Sequence, residues 1–276
     1  MRSLIRPLAL ALALALALAA GPVAARDRIP SHCIALAQAA PEAIHKARFG
    51  APLGPDRVRI TYVDHATFVI ETPGGLVAAT DYTGWLGPAD PLPDVVTMNN
   101  AHHTHWTAVP DPRIPHVLRG WDQGQGPADH RLDLGEMLVR NVPTDVRAAW
   151  GEGARANGNS IFVFEVAGLC IGHLGHLHHE PTPEQYAAIG RLDVVMVPVD
   201  GGYTMSTEAM SRVVSRLRSS VVLPMHWFSG AALDEFLDEM TGAFRIVRLE
   251  DSSLELDLAS LPGRPTIMVL DPAPIE

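Results

Sequence analysis

Three short apolar runs that each end in histidine constrain this chain more than any other feature of its sequence. They lie within VVTMNNAHHTHW (95–106), CIGHLGHLHH (170–179) and VVLPMHWF (221–228), which together hold eight of the 13 histidines. Runs of β-branched apolar residues predict buried strands. Functional sites in α/β proteins collect where strand ends and their loops converge, and neutral imidazole is a common metal ligand. The sequence therefore predicts a metal site assembled from three strand ends.

Residues 1–25 are expected to be a cleaved signal peptide. Arg2 and Arg6 precede a Leu/Ala run that ends in small residues, which is the order of a secretory signal. An uncleaved membrane anchor is the alternative, but the run is short and no stop-transfer pattern follows it. Cleavage after Ala25 leaves residues 26–276, which we predict to be a single periplasmic or secreted domain without stable membrane insertion.

Charge and cysteine content narrow the functional classes. The formal net charge is −10, and loss of the two leader arginines would make it −12. Because no Lys/Arg cluster is present, a nucleic-acid partner is not expected. The expected partner is a small-molecule substrate. A disulfide between Cys33 and Cys170 would suit an oxidising compartment, and two buried free thiols are the equal alternative. A third interpretation makes Cys170 a metal ligand, although it lies inside a predicted strand.

The alternation of short apolar runs and amphipathic segments predicts two sheets packed face to face with helices outside. A helix is predicted over residues 31–48, with Ser31 as its N-cap. Thr182 is the expected N-cap of a later helix, and the turn at 72–75 predicts a hairpin. Strands are predicted at 57–63, 67–72, 76–81, 95–99, 116–120, 136–142, 160–166, 168–174, 193–199, 220–225, 244–249, 253–258 and 266–270, and helices at 181–190, 206–219 and 232–240.

Several segments resemble the metallo-β-lactamase superfamily, in its lactonase-like and phosphodiesterase-like hydrolase branch. YVDHATF (62–68) is similar to the branch's W-L-G-H-A-S-F opening, and HLGHLHH (173–179) is similar to its H-L-G-D-L-G-H segment. DVVMVPVDGGYT (193–204) and VVLPMHW (221–227) are similar to its D-V-L-L-V-P-V-G-G-x-Y-T and V-I-P-M-H-Y segments. The resemblance covers roughly residues 57–228. It implies a four-layer α/β sandwich, αβ/βα, and a metal-dependent hydrolase.

The superfamily's metal motif, H-x-H-x-D-H, is altered in this chain. The matching residues run from Asn100 to His105, so the first histidine is replaced by Asn100 and the aspartate by Thr104. A further histidine that follows a V-P segment in the family is Val146 here, and the bridging aspartate is His176. Histidine remains at four ligand-matching positions, which are His102, His105, His176 and His226.

These four imidazoles are predicted to bind one Zn²⁺ ion. Four neutral nitrogens suit tetrahedral zinc, and three with a water form an open catalytic site. One ion is predicted rather than two, because the carboxylates that offset repulsion between two cations are absent. Copper or nickel also suits an all-imidazole site. The ion would activate water to attack an ester, lactone or phosphodiester; the alternative is a catalytically degenerate protein that binds a metal or small molecule.

Asp200 is the preferred catalytic candidate, since the altered motif lacks a proton acceptor. It stands where the branch has glycine, and it would either orient a ligand imidazole or accept a proton. An ordinary turn over 200–202 is the competing interpretation. The other nearby carboxylates are Asp64, Asp81 and Asp145.

The remaining histidines and the flanking aromatic residues are expected to have less direct roles. His103 is expected to be exposed, and His173 to be either a satisfied core histidine or a histidine that supports a ligand from behind. His65 matches the histidine of the family's opening segment, and it is expected either to hydrogen-bond within the site or to be structural. His179 and, less directly, His178 are expected at the mouth of the site or at the start of the next helix. The flanking aromatic residues, as walls or stacking groups, are Tyr203, Trp106 and Trp227.

Overall fold

Two mixed β-sheets form the framework of the part of the chain that the computed structural model describes. The described residues are Cys33, His45–Lys46, 48–148 and 153–276. Within them, the first sheet has the strand order β1-β14-β2-β3-β4-β5-β6. Its strands are β1 (His45–Lys46), β2 (Val58–Asp64), β3 (Thr67–Glu71), β4 (Val77–Ala79), β5 (Val95–Met98), β6 (His116–Arg119) and β14 (Ser253–Leu256).

The second sheet has the order β13-β15-β12-β11-β10-β9-β8-β7 in the described part of the chain. Its strands are β7 (Arg131–Asp133), β8 (Met137–Arg147), β9 (Ala154–Val166), β10 (Leu169–His173), β11 (Val194–Pro198), β12 (Val221–Met225), β13 (Arg245–Arg248) and β15 (Thr266–Val269). The helices are α1 (Pro183–Ile189), α2 (Thr207–Leu217), α3 (Gly230–Met240) and a 3₁₀ helix (Leu258–Ser260). Among the described helices, none has the length and apolar character needed to cross a membrane.

The sheets pack face to face because their strands alternate between two buried faces. In β11, Val194 and Met196 lie in the core between the sheets, whereas Val195 and Val197 face the layer of helices. Side chains two residues apart point to the same side of a strand. A central strand with both faces covered therefore reads as a continuous apolar run, as the sequence does over 194–199.

The two outer layers differ. Helices α1, α2 and α3 all contribute to the apolar cluster on the second sheet, for example through Val213 and Phe236. Over the first sheet, Val69 and Val96 are covered by loop residues such as Ile114. The α/β sandwich predicted from the sequence is confirmed, with one outer layer built from loops in the described residues.

The strands and helices predicted from the sequence agree with the observed ones, with three main differences. The helix predicted over 31–48 does not reach its predicted end, because His45–Lys46 form β1 and pair with β14. Apart from Cys33 and Arg48, its other residues lie outside the described residues, as does the signal peptide predicted at 1–25. Strands β8 and β9 are longer than predicted, since polar residues extend their hairpin beyond the apolar core. Strand β7 was not predicted, and it is a short edge strand with little burial.

A disulfide joins Cys33 to Cys170, with their Cα atoms 5.6 Å apart, which is within the usual range. The backbone N–H of Arg191 also donates to the carbonyl of Cys33 at 2.7 Å. The disulfide alternative is therefore the one present, and Cys170 inside β10 is not available as a metal ligand. The bond anchors a point near the amino terminus to the second sheet.

Candidate metal centre

Histidine and aspartate side chains gather at one end of both sheets. Strands β4 and β5 are parallel in the first sheet, and β10, β11 and β12 are parallel in the second, so their carboxyl ends lie side by side. Loops after parallel strands are where α/β proteins place their sites. Each of these five strands is followed by one buried polar residue of the cluster, and the β2–β3 turn adds His65. In the order β4, β5, β10, β11 and β12, the residues that follow the strands are Asp81, His105, His176, Asp200 and His226.

His65, His105 and His226 converge closely enough to hold one metal ion. Each offers a ring nitrogen, and the three nitrogens lie within 4.8 Å of one another. The Nε2 atoms of His105 and His226 are 3.0 Å apart, and the rings of His65 and His226 are 3.9 Å apart between centroids. In tetrahedral zinc, bonds of 2.0–2.1 Å put ligand nitrogens about 3.3 Å from each other. The spacing of the central pair thus suits a shared cation.

Two buried carboxylates lie behind these rings. Asp81 Oδ2 is 2.5 Å from His105 Nδ1, and Asp200 Oδ2 is 2.9 Å from His226 Nδ1. The second contact is short, but the ring N–H is not aimed at the oxygen as in a hydrogen bond. A carboxylate favours the proton on Nδ1 and leaves the Nε2 lone pair free for a metal. The two lone pairs then face each other across 3.0 Å, an arrangement that a cation between them would stabilise.

The buried ring nitrogen of His65 also suits a metal ion at this position. Within the described residues, His65 Nε2 is buried and has no hydrogen-bond partner. Buried polar atoms without a partner are rare, because each costs free energy unless something binds it. A metal ion shared with His105 and His226 would satisfy this nitrogen.

Three histidines of the cluster, His65, His105 and His176, have a lowered pKa, which favours the neutral form that binds metal. Burial, with a smaller electrostatic contribution from His226, lowers the pKa of His65 to about 3. Burial also lowers the pKa of His105 well below its usual value, and it lowers that of His176 as well. Desolvation penalises the charged form of each ring. These three rings therefore carry no second proton at neutral pH.

The two carboxylates behind the rings differ in their hydrogen bonding. Burial raises the pKa of Asp81 to about 7, against the attraction of His173 and the bond from the Asn99 backbone. Burial also acts to raise the pKa of Asp200, but contact with His226 and the bonds from Thr204 and Gly202 outweigh it and lower that pKa. Asp200 is therefore the more firmly ionised of the two.

The structure brings three of the four predicted ligands together and leaves the fourth at the rim. His176 is buried, and its Nδ1 lies 2.9 Å from His105 Nε2. His102 is exposed, with its Nδ1 3.1 Å from Thr104 Oγ1. The His102 ring stacks on His176 at 5.1 Å, outside the converging set of His65, His105 and His226.

His65 was not among the ligands predicted from the sequence. It lies in the turn between β2 and β3 at a φ of 42°, and its carbonyl accepts hydrogen bonds from His226 N and Tyr62 Oη, both at 2.7 Å. The available signal was its match to the histidine of the family's opening segment. Sequence distance concealed it, because this turn precedes the nearest histidine cluster by more than 30 residues.

Asp200 takes part in a turn and also lies against a histidine of the cluster. It organises a turn, because it accepts from Gly202 N at 2.9 Å and from Thr204 N and Oγ1 at 2.9 and 2.7 Å. It also contacts His226. Of the other carboxylates considered, Asp81 is the one at the site, whereas Asp64 and Asp145 are exposed.

His176 is positioned by the short loop that follows β10. Its backbone N–H donates to Asn159 Oδ1 at 2.9 Å. Gly175 before it has a φ of +60°, and a Cβ there would lie 2.5 Å from Asn99 Cβ. Only glycine fits such a position without strain. The glycine of the HLGH segment thus sets the direction in which His176 leaves the strand.

The positions at which the motif departs from the family are occupied by groups that serve the fold. Asn100 is buried and forms an isolated bridge with Asn159. Val146 is buried within β8. Thr104 contacts His102 rather than the converging histidines. None of these three residues is part of the converging set of His65, His105 and His226.

The other residues singled out in the sequence lie around the cluster. His173 is buried, donates to Ala66 O at 2.8 Å through Nε2 and accepts from Gly175 N through Nδ1. It is thus a satisfied core histidine, as predicted. His178 lies closer to the site than His179, since its ring is 4.7 Å from that of His176; the exposed ones are His103 and His179.

The aromatic residues that flank the histidines fall into two groups. Trp106 packs on Trp121, and Trp227 packs on Tyr62, each with 5.5 Å between ring centroids. These two tryptophans therefore have a packing role. Tyr203, in contrast, is largely exposed.

Comparison with known proteins agrees with this fold. The chain matches the Beta-lactamase superfamily domain over residues 59–226. A UPF0173 metal-dependent hydrolase of Anaeromyxobacter dehalogenans is 28% identical over 228 residues, which cover 68% of this chain and 81% of that protein. Another, from Pyrococcus furiosus, is 24% identical over 224 residues, which cover 72% of this chain and 100% of that protein.

Solved structures show the same architecture. A Thermotoga maritima protein, assigned to the zinc-dependent hydrolases of the metallo-β-lactamase superfamily, aligns with a TM-score of 0.53 at 25% identity, over 77% of this chain and 98% of that one. A metallo-hydrolase of Ignicoccus hospitalis aligns with a TM-score of 0.52 at 18% identity, over 79% and 96%; this second likeness concerns the fold alone. From its matched domain and its sandwich fold, the chain belongs to the metallo-β-lactamase superfamily.

Proposed function

We propose that this protein is an exported metal-dependent hydrolase that uses one transition-metal ion, with zinc as the first choice. The ion would be held by His65, His105 and His226, with His176 adjacent as a fourth nitrogen donor. The observation that carries the proposal is the pair of Nε2 atoms 3.0 Å apart. Each belongs to a ring with a buried carboxylate, Asp81 or Asp200, on its other nitrogen.

The relatives support the same activity class. The curated proteins that this chain resembles are named metal-dependent hydrolases, and the Thermotoga maritima protein is assigned to the zinc-dependent ones. An all-imidazole donor set suits zinc, copper and nickel. We propose an ester, a lactone or a phosphodiester as the bond that is hydrolysed.

The protein's own residues would prepare the site for this chemistry. A bound ion supplies a Lewis acid and activates a water molecule at neutral pH. Asp81 and Asp200 orient the imidazoles of His105 and His226 and favour the proton on Nδ1. Because Asp200 already accepts three hydrogen bonds, we assign it the orienting role rather than that of proton acceptor.

One ion is proposed rather than two. The family positions that would complete a second ligand set hold Asn100, Thr104 and Val146, and none of them brings a charge. Two divalent ions about 3.5–4 Å apart need carboxylates to offset their repulsion. In this site Asp81 and Asp200 contact the Nδ1 side of the histidine rings, so they would not lie between two ions.

Metal content tests the ligand set directly. Residues 26–276 are purified without chelator, and metal per chain is measured by mass spectrometry. About one equivalent is expected for the wild type, with a large loss in His226→Ala and His65→Ala. His102→Ala is the matched control and should keep its metal, because this ring lies at the rim. Metal lost from His102→Ala but kept by His65→Ala would overturn the assignment.

Turnover separates the enzyme from a binding protein. Hydrolysis of a generic aryl ester or a bis-aryl phosphodiester should disappear on removal of the metal and return on its addition. The altered motif residues favour one alternative, a degenerate protein that binds a metal or small molecule. One equivalent of metal without turnover across a broad panel of esters, lactones and phosphodiesters would establish that alternative.

The Cys33–Cys170 disulfide supports the proposed export, since disulfides persist in oxidising compartments. Cells that express the full chain can be fractionated, and free thiols in the denatured protein can be labelled. We expect unlabelled protein in the periplasm or medium. Mature protein with labelled cysteines in the cytoplasm would contradict export.

A further inference from the structure

Two aromatic rings lie open to solvent beside the candidate metal centre. Tyr203 is 69% exposed and Phe228 is 61% exposed, yet their rings contact each other edge to face at 5.1 Å. Single exposed apolar residues are common on protein surfaces, whereas neighbouring ones mark binding sites. The exposure of two neighbouring aromatic rings suggests that a ligand covers them.

The position of the pair connects it to the histidines. The Phe228 ring lies 5.3 Å from the His65 ring and 5.4 Å from the His226 ring. Tyr203 follows Asp200 by three residues in the loop after β11. The Phe228 ring thus borders the half-buried His65, and the Tyr203 ring contacts Phe228.

Hydrogen bonds also hold the backbone around Tyr203. Arg147 Nη2 donates to the carbonyl of Gly202 at 2.8 Å and to that of Tyr203. Thr204 is bonded to Asp200 through both its backbone and its hydroxyl. Phe228 lies between the end of β12 and the start of α3. A preorganised aromatic surface loses little conformational entropy when a ligand covers it.

We propose that Tyr203 and Phe228 form an aromatic subsite that binds an aryl group attached to the bond that is hydrolysed. This inference rests on the proposed function, because the metal would hold the reacting group while the two rings hold its substituent. Covering exposed apolar rings with an aromatic group is favourable in water. A cationic substituent is disfavoured, since the metal ion adds positive charge on the same side.

Two phosphonates that differ only in their substituent test the subsite without turnover. Binding of phenylphosphonate and of methylphosphonate to the zinc-loaded protein is measured by calorimetry. We expect phenylphosphonate to bind about tenfold more tightly, which is the size of a good aromatic contact. Phe228→Ala and Tyr203→Ala should each bring this ratio close to one and leave methylphosphonate binding unchanged.

Matched variants separate the subsite from general effects. Tyr203→Phe keeps the ring and should keep the preference. Leu92→Ala also removes an exposed apolar side chain, but at the amino end of β5, and it should have no effect. An unchanged ratio in both alanine variants, or equal binding of the two phosphonates by the wild type, would overturn the subsite.

Zinc content is measured in the same samples, so the two proposals fail in different ways. Protein that holds no zinc would overturn the proposed function. Zinc-loaded protein that binds neither phosphonate would overturn the subsite while the metal centre stands.

Discussion

At the scale of single residues, the chemistry of this site depends on which nitrogen of each ring carries the proton. Asp81 lies against Nδ1 of His105, and Asp200 lies against Nδ1 of His226. In the proposed site, the carboxylates would therefore act on metal binding without touching the metal. Reversing the proton position on either ring would point an N–H at the place where the ion belongs.

Replacing either carboxylate by its amide should weaken metal binding. We expect Asp81→Asn and Asp200→Asn each to lower zinc affinity by about 10–100-fold, because loss of such partners has this effect in other metal sites. Competition with a chromophoric chelator measures the affinity. Asp64→Asn removes an exposed carboxylate next to His65 and serves as the control; equal affinities in all three variants would disprove the orienting role.

At the scale of elements, α1 couples the loop after β10 to the second sheet. Thr182 and Gln185 form a capping box at its start, as the sequence predicted for Thr182. Gln185 also donates to Pro143 O in β8 at 2.8 Å. At the other end, Arg140 donates to the carbonyls of Ala188 and Ile189, which satisfies groups that a helix end leaves open. The short helix thus depends on contacts at both ends.

Removing the cap of α1 should destabilise the protein moderately. Thr182→Ala removes the oxygen that accepts from Gln185 N at 3.2 Å, and we expect the free energy of unfolding to fall by about 1 kcal/mol. Urea denaturation measures it. Thr182→Ser keeps the oxygen and should stay within a few tenths of a kcal/mol of the wild type. Equal losses in both variants would show that the methyl group, not the cap, matters.

At the scale of the whole molecule, two long-range links join parts of the chain that are far apart in sequence. The disulfide spans 137 residues, and the histidine cluster joins loops from both sheets. A cross-link of this kind restricts the unfolded chain. A ligand that binds only the folded chain stabilises it by mass action.

Loss of the disulfide should be costly. Cys33→Ser combined with Cys170→Ser is expected to lower the free energy of unfolding by about 2–5 kcal/mol, as measured by urea denaturation. Addition of a reductant should destabilise the wild type and leave the double variant unchanged. A double variant as stable as the oxidised wild type would contradict this expectation.

Metal should raise the melting temperature through the histidines of both sheets. Zinc at about 1,000 times its dissociation constant adds about 4 kcal/mol, which corresponds to a shift of about 10 °C for a domain of this size. His226→Ala should abolish the shift, and His102→Ala should keep it. A shift that survives in His226→Ala would place the ion elsewhere.

Much of the fold could be predicted because strands and helices leave short-range periodicity in the sequence. The run at 194–198 predicts a buried strand, and Ser206 and Thr182 mark the beginnings of helices. The extensions of β8 and β9 could not be predicted, because polar strand residues such as Asn157 carry no such signal. Their pairing depends on the partner strand rather than on their own composition.

The sequence by itself determined the family, the order of the elements and the end of the sheets at which histidines collect. Tertiary structure alone decided that His65 faces His105 and His226, that His102 stays at the rim, and that Asp81 supports the site. Periodicity along one strand states which face is buried, but it contains no information on how two sheets are set against each other. Which rings meet is a property of that packing.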